Sequence, residues 1–400
     1  MGFIHFEESM RIIDEVEVKK LGVMKRFVSD AQGYVLAEDI VADHDSPSAP
    51  TSAMDGYAIV SEDQKSGRLK ISGINPAGDE KRWRVERGEA VKTFTGSLMP
   101  EGSDTLIPIE NVTVEDGYIV IDEEVPRGYS VREAGENYAR GEKLIEAGTI
   151  IDYPQIGVMA GLNMVEVSVH VKPRVAVLAT GSELLALGEE AKHEGQIRST
   201  NDYTIAALVR KYGGEAIRIG CVGDDRESIA EAFRRALSMA DIVVTTGGVS
   251  VGDFDFVKDV ITQSDATLLF KGVRIKPGQH IACAKLGEKF IVGLPGFAYS
   301  STVTALLYVV PLMARLTGRP SPIETIGAVL REDFRKKSKK AEFTACNLRL
   351  EDGVFYVDFD GKKSGTSAIL TNMLGDTALL YTTEDEGDKK AGEMVKVVRL

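Results

Sequence analysis

The chain has 400 residues, more than one hydrophobic core usually organises, because single cores stop growing near ~250 to 300 residues. Two to four domains are expected, and with 43% hydrophobic and 27% charged residues the composition excludes a mainly disordered or fibrous chain. The formal charge of -13 argues against nucleic-acid binding and would repel an anionic substrate, so local cations, backbone N–H groups or a bound metal must supply any attraction.

In chain order, Phe6, Met10 and Ile13 recur at helical spacing with carboxylates between them, which predicts an opening amphipathic helix. No basic start or apolar core marks a signal peptide, and no run of ~18 apolar residues suggests a membrane span, so a cytoplasmic protein is expected. From about residue 45 to 128 short alternating runs predict a small β domain: Leu69–Ser72, Ala90–Phe94, Thr105–Val114 and Tyr118–Ile121, the last two joined by an Asp116-Gly117 hairpin turn. A mixed pattern resumes after it. The β unit therefore reads as an insertion (45–128) in an N-terminal mixed α/β domain made of 1–44 and 129–171.

The stretch 172–320 alternates strands with helices. Arg174–Ala179 is followed by Thr180-Gly181-Ser182-Glu183 and a helix around Ile205, Leu208, Val209 and Tyr212, and Glu215–Gly220 by Asp224-Asp225 and a helix from Glu227 to Met239. Asp241–Thr245 precedes Gly247-Gly248 and a further helix, and Phe290–Gly293 runs into Leu294-Pro295-Gly296. This predicts a doubly wound parallel sheet covered on both faces, with ligands beyond the carboxyl ends of the strands. From residue 321 to 400 β texture returns: Thr344–Leu350 and Val354–Phe359 flank a hairpin turn at Glu351-Asp352-Gly353, and Val395–Leu400 reads as an edge strand.

Each candidate carboxylate follows a predicted strand: Glu183, then Asp224 and Asp225, then Asp253 and Asp255. Carboxylates beside glycine-rich backbone suit a divalent cation such as Mg²⁺ bridging phosphate oxygens, with exposed N–H groups accepting the phosphate. Simpler roles stand beside these. Asp225 could be a helix N-cap, Gly247-Gly248 a tight turn, and Lys276 of Lys276-Pro277-Gly278 a solvated loop lysine rather than an anion's partner. The basic run 335–340 reads as a solvated loop or edge guard. Cys221, Cys283 and Cys346 lie far apart and read as buried small hydrophobes; the five histidines offer no HxxxH spacing for a metal. By themselves these residues lead to metal-assisted phosphate chemistry and no further.

A more specific pattern runs through the chain. Ser52-Ala53-Met54-Asp55-Gly56-Tyr57-Ala58 is followed by Thr95-Gly96 with Pro100, Gly102 and Asp104; Gly135-Glu136; Thr180-Gly181-Ser182-Glu183-Leu184; Thr246-Gly247-Gly248-Val249-Ser250-Val251-Gly252 with Asp255; Lys276-Pro277-Gly278; Gly293-Leu294-Pro295-Gly296; and 364–370. In these segments the sequence resembles the molybdopterin molybdenumtransferases, the MoeA family to which the E domain of gephyrin belongs. The resemblance implies a multidomain α/β and β protein: a MogA-like doubly wound α/β domain with an N-terminal mixed domain, an inserted β domain and a C-terminal β domain. It implies a homodimer, with active sites shared between subunits, that takes adenylylated molybdopterin from a MogA-like adenylyltransferase, inserts molybdate or tungstate with help from Mg²⁺, and releases AMP. Carried over by position, Asp55, Thr95, Glu183, Asp255 and Lys276 are catalytic. Thr180, Gly181, Ser182, Thr246, Gly247, Gly248, Ser250, Pro295, Gly296 and Ser367 bind the cofactor, and Glu183, Asp255 and either Asp224 or Asp225 are metal ligands. Three places depart from the family pattern: Asn137 stands for an aspartate, Gln279 for a second lysine, and Phe297-Ala298 for Asn-Pro. Two alternatives compete, a CinA-type nucleotide pyrophosphatase and a non-catalytic molybdopterin-binding or scaffold paralogue.

Overall fold

The computed structural model describes residues 2–247, 265–363 and 367–400. The chain divides into two compact units, Met1–Arg26 with Gly33–Ala37 and Ser168–Leu400, and Phe27–Gln32 with Glu38–Val167.

The smaller unit is built on a six-stranded sheet whose order is Thr105–Pro108, Gly56–Ile59, Glu89–Thr93, Arg68–Asn75, Tyr118–Ile121, Val112–Glu115. Its core holds Tyr57, Ile59, Leu69, Ala90, Ile107 and Ile119. Asp116 and Gly117 both adopt positive φ, as a two-residue hairpin turn requires. The expected single strand over Thr105–Val114 is in fact two. Pro108 has no N–H to continue the ladder, and a 3₁₀ turn at Ile109–Asn111 separates the pieces. Gly56–Ile59, unforeseen from texture, pairs with strands on both sides. A Cβ at Gly56 would lie 2.2 Å from the Ile107 carbonyl oxygen, so only glycine allows the strands to approach there.

In the larger unit the expected opening helix spans Phe6–Glu15 and buries Phe6, Ser9 and Ile13. The central sheet runs Glu215–Val222, Arg174–Thr180, Ile242–Thr246, Lys289–Leu294, Ala282–Leu286, Thr267–Lys271. The first four strands are parallel. The last two are antiparallel, which corrects the expectation of a wholly parallel sheet. Ala282–Leu286 returns directly to Lys289–Leu294 through a short turn, and a hairpin can only be antiparallel. Alternation along Arg174–Thr180 explains why both faces are covered: Val175 and Val177 pack with Ile205 and Val209, whereas Ala176 and Leu178 pack with Phe233 and Ala236 of helix Arg226–Met239.

The helical segment Ala298–Leu316 follows the strand Lys289–Leu294. It is long and apolar enough to cross a membrane, but 94% of its most apolar window is buried within the protein. Serine and threonine break up its apolar run in the sequence, and the segment is a core element. Its middle, Ala305–Val309, is a π turn, followed by Pro311, whose ring nitrogen cannot donate to the preceding turn.

The C-terminal strands close into a ring. Ala341–Glu351 pairs with Val354–Asp358 and Thr377–Thr382, Thr325–Leu330 with Val354–Asp358 and Met394–Arg399, and Thr377–Thr382 with Met394–Arg399. The last strand therefore lies between two neighbours and is not an edge, as closure of the barrel requires. Its interior holds Leu330, Cys346, Val357, Leu380 and Val397. Cys283 and Cys346 are buried free thiols, and burial pushes both up to about 12.

Candidate functional site

The first α/β strand, Arg174–Thr180, lies between the second and third, so the strand order reverses beside it. In open α/β sheets ligands bind beside the loops leaving the carboxyl ends at such a point. The Thr180 hydroxyl donates to the Thr246 carbonyl at 3.4 Å. A Cβ at Gly247 would meet the Thr180 carbonyl oxygen at 2.8 Å, and φ at this residue is +91°, so the loop backbones touch because position 247 is glycine. Gly181 has φ +147°, and its missing Cβ would lie 2.5 Å from the Glu183 carboxylate, which folds back over the loop. Ser182 and Asp224 join the first and second loops reciprocally. The Ser182 N–H donates to Asp224 Oδ2 and the Asp224 N–H to Ser182 Oγ, each at 3.1 Å.

On the third side, Pro295 and Gly296 follow Lys289–Leu294, whose last residue pairs with Thr246. Asn201 fixes that loop by donating to the Gly296 carbonyl at 2.8 Å. Thr180, Gly181, Ser182, Glu183, Asp224, Thr246, Gly247, Pro295 and Gly296 thus share one sheet edge. Asp225 is engaged elsewhere. Its Oδ2 accepts the Ser228 N–H at 2.8 Å, capping helix Arg226–Met239, and the Ser228 hydroxyl and N–H hold its carboxyl below the usual range. Gly248, Ser250, Asp253 and Asp255 lie outside the described residues. Among the described residues no three His, Cys, Asp or Glu side chains could hold a metal ion, so Glu183, Asp224 and Asp225 do not form a cage of their own.

Lys276 lines a separate cavity of about 220 Å³ with Tyr299, Phe343, Phe359, Lys363 and Ser367. Its Nζ lies 3.2 Å from Glu342 Oε1; the Glu342 side chain is only 5% exposed and that of Lys276 34%. The basic run is a loop only partly solvated: Arg335, Lys337 and Lys339 are exposed, whereas Lys336, Ser338 and Lys340 are half-buried. Lys336 Nζ donates to the carbonyls of Thr383, Glu384 and Glu386, the Lys337 N–H to Glu342, and Lys340 Nζ to Gln279 Oε1. These lysines find acceptors because the chain turns here into the barrel strand Ala341–Glu351, leaving carbonyls and the Glu342 carboxylate in need of donors. Gln279 Nε2 lies 2.9 Å from His280 Nε2, and burial, then Lys340 and Lys271, lower the His280 pKa. The Ser367 carbonyl accepts the Ser300 N–H at 3.1 Å.

In the smaller unit, Asp55 and Thr95 flank paired strands, Gly56 standing opposite Thr93. Asp55 Oδ1 accepts the Thr95 N–H at 2.8 Å and the Thr95 hydroxyl at 2.7 Å, and these bonds lower the Asp55 pKa. The ionised carboxylate is held in one orientation on the surface.

Residues 4–162 match the MoeA N-terminal region (domain I and II), and residues 176–315 a probable molybdopterin binding domain. A molybdopterin molybdenumtransferase of Haemophilus influenzae is 33% identical over 383 residues, covering 92% of each chain. The chain belongs to the molybdopterin molybdenumtransferase family. One from a Nostoc species is 31% identical over 92% of this chain and 87% of its own. The crystal structure of a molybdopterin biosynthesis moeA protein from Pyrococcus horikoshii OT3 superposes with a TM-score of 0.84 at 30% identity, covering the whole of both chains. Membership makes the protein an enzyme of molybdenum cofactor biosynthesis with the MoeA fold. The match over 4–162 accounts for a region that a pyrophosphatase reading leaves unexplained.

Against the family pattern, Asn137 makes a neutral contact to Ser46 Oγ at 3.4 Å, and Phe297 stands at the start of its helix, 64% exposed and without a side-chain cap. Gln279 is absent from the lining of the Lys276 cavity. Sequence reading missed Glu342 and Asn201. Nothing local marks either one, because a glutamate in a strand and an asparagine opening a helix are ordinary until the partners arrive from ~66 or ~95 residues away.

Proposed function

We propose that the protein inserts molybdate, or tungstate, into adenylylated molybdopterin and releases AMP. The observation supporting this reading best is the meeting of the Thr180–Glu183, Asp224, Thr246-Gly247 and Pro295-Gly296 loops at the point where strand order reverses. Ligands of open α/β sheets bind at such a switch point, and the glycines at 181 and 247 let the Glu183 carboxylate and the Thr180 backbone pack into the loops, so that Glu183 and Asp224 stand where the substrate's phosphates would arrive. Glu183 and Asp224 offer hard oxygen ligands without forming a cage, which suits Mg²⁺ brought in on the pyrophosphate, since that ion commonly keeps one or two carboxylates beside phosphate oxygens. When bound, it would neutralise charge on the linkage. Water adds to the phosphoanhydride, AMP leaves, and molybdopterin keeps its own phosphate. The Lys276 cavity, with Ser367, is the assigned place for the tetrahedral oxyanion, because Lys276, though paired with Glu342, lines it together with Arg335, Lys337, Lys362 and Lys363, local cations in a chain of charge -13.

A MogA-like adenylyltransferase would supply the adenylate, and a cytoplasmic homodimer using Asp55 and Thr95 in its active sites completes the reading. The test is AMP release from adenylylated molybdopterin by purified protein with molybdate or tungstate and Mg²⁺. Oxyanion-dependent release supports the proposal. Release indifferent to both oxyanions would point to a pyrophosphatase, and tight molybdopterin binding without turnover to a scaffold.

A further inference from the structure

The carboxylate of Glu342 occupies an unusual position for a cavity assigned to an anion. It is almost fully buried, yet it lines the cavity beside Lys276. Both its oxygens are saturated by donors. Oε1 faces Lys276 Nζ at 3.2 Å and the Thr344 hydroxyl at 3.4 Å, while Oε2 accepts the Ser338 hydroxyl at 3.1 Å and the Lys337 N–H at 3.2 Å. One ammonium, two hydroxyls and one backbone amide form the kind of donor set that a tetrahedral oxyanion uses. Here the protein fills it with its own carboxylate.

We propose that Glu342 is an internal competitor for the anion at Lys276, a positioning residue that sets how strongly the cavity attracts oxyanions. This rests on the reading that Lys276 holds the oxyanion. With Glu342 in place the Lys276–Glu342 pair is neutral, and an arriving dianion meets a like charge within a few ångströms of its intended partner. The anion must draw Lys276 away or push Glu342 aside, and either costs a charge-assisted hydrogen bond. Abundant anions that bind through charge alone are thereby held off. The basic run 335–340 contributes the Lys337 N–H and the Ser338 hydroxyl that hold the competitor in place, and Arg335 and Lys337 also line the cavity beside Lys362 and Lys363, so the carboxylate acts within a largely cationic wall.

Affinity provides the test, because an ordinary structural role for Glu342 would change it in the opposite direction. Binding of tungstate, molybdate and inorganic phosphate to the full-length protein is measured by calorimetry at two ionic strengths. Glu342→Gln keeps an oxygen for Lys276 and Thr344 but removes the charge. It should tighten all three oxyanions by at least about 10-fold, more at low salt, and at least as much for the molybdate and tungstate dianions as for phosphate, which is partly monoanionic at neutral pH. Unchanged or weaker binding in a folded Glu342→Gln variant overturns the proposal. If that variant does not fold, Glu342→Asp draws the charge back from Lys276 and should shift affinity the same way by a smaller factor; loss of affinity there also overturns it. A separate outcome concerns the underlying reading. If Lys276→Ala binds each oxyanion as well as the unmodified protein does, the cavity is not the oxyanion site, and both ideas fall for a reason distinguishable from the first.

Discussion

Removal of the Lys276 side chain tests the ion pair on which the cavity is built. Breaking a fully buried pair by deleting one partner costs ~3–5 kcal/mol, since the survivor stays charged without compensation. Two features reduce that figure here. The Lys276 side chain is 34% exposed, so water reaches one side of the pair, and Glu342 keeps the donors of Lys337, Ser338 and Thr344. A cost of about 1–2 kcal/mol is therefore expected for Lys276→Ala. Glu342→Gln removes the charge that the lysine compensates. In that background Lys276→Ala should lose roughly 1 kcal/mol of its effect, which a double-mutant cycle reads as coupling. The assay is denaturant unfolding of the four proteins in the cycle, with slopes compared so that a change in midpoint can be read as stability. Single effects that add to within about 0.3 kcal/mol would refute the reasoning, because contact at 3.2 Å without coupling means the pair is screened to no consequence.

Thr95→Val removes a hydroxyl that holds Asp55 below the ordinary 3.8, though the backbone donor remains. The Asp55 pKa should rise in an NMR titration; because a depressed carboxylate stabilises the fold above its unfolded value, the variant's stability deficit should be present at neutral pH and disappear as pH falls through the folded pKa. No rise would mean the side-chain bond contributes nothing in solution. Asp225→Ala should fray the first turn of helix Arg226–Met239, seen as faster amide exchange at Ser228, while AMP release is retained. Asp224→Ala should do the reverse, lowering AMP release by releasing Ser182 with little effect on that helix; equal losses of activity in the two would remove the distinction. For the proposed homodimer, inactive Asp55→Ala and Asp255→Ala chains mixed with verified subunit exchange should regain roughly a quarter of normal activity if each active site draws on both subunits. A mixture that stays inactive would confine each site to one chain.

What the sequence reveals about this protein depends on how far apart the cooperating residues lie. The parallel strands and the Asp116-Gly117 and Asp352-Gly353 turns are written in neighbouring residues, as alternation, apolar runs and tolerance of positive φ, and these were legible. For Asp225 the sequence offered two roles, metal ligand and helix cap, without deciding between them, and the bond to the Ser228 N–H is what shows the cap. Closure of the C-terminal barrel was not legible, because the partner that turns Met394–Arg399 from an edge into an interior strand is supplied by register and not by composition. The same holds for charge. Taken alone, the run 335–340 is six residues of mostly positive texture, and texture predicts solvent. Its meaning is decided by acceptors from elsewhere: the 383–386 carbonyls for Lys336, Gln279 for Lys340, and Glu342 for the Lys337 amide. A lysine in a chain of net charge -13 is therefore poorly described as a free cation awaiting a substrate. Lys276 already has a carboxylate partner, so its attraction for an anion is a difference between two interactions, and an argument from overall charge can give only one of them.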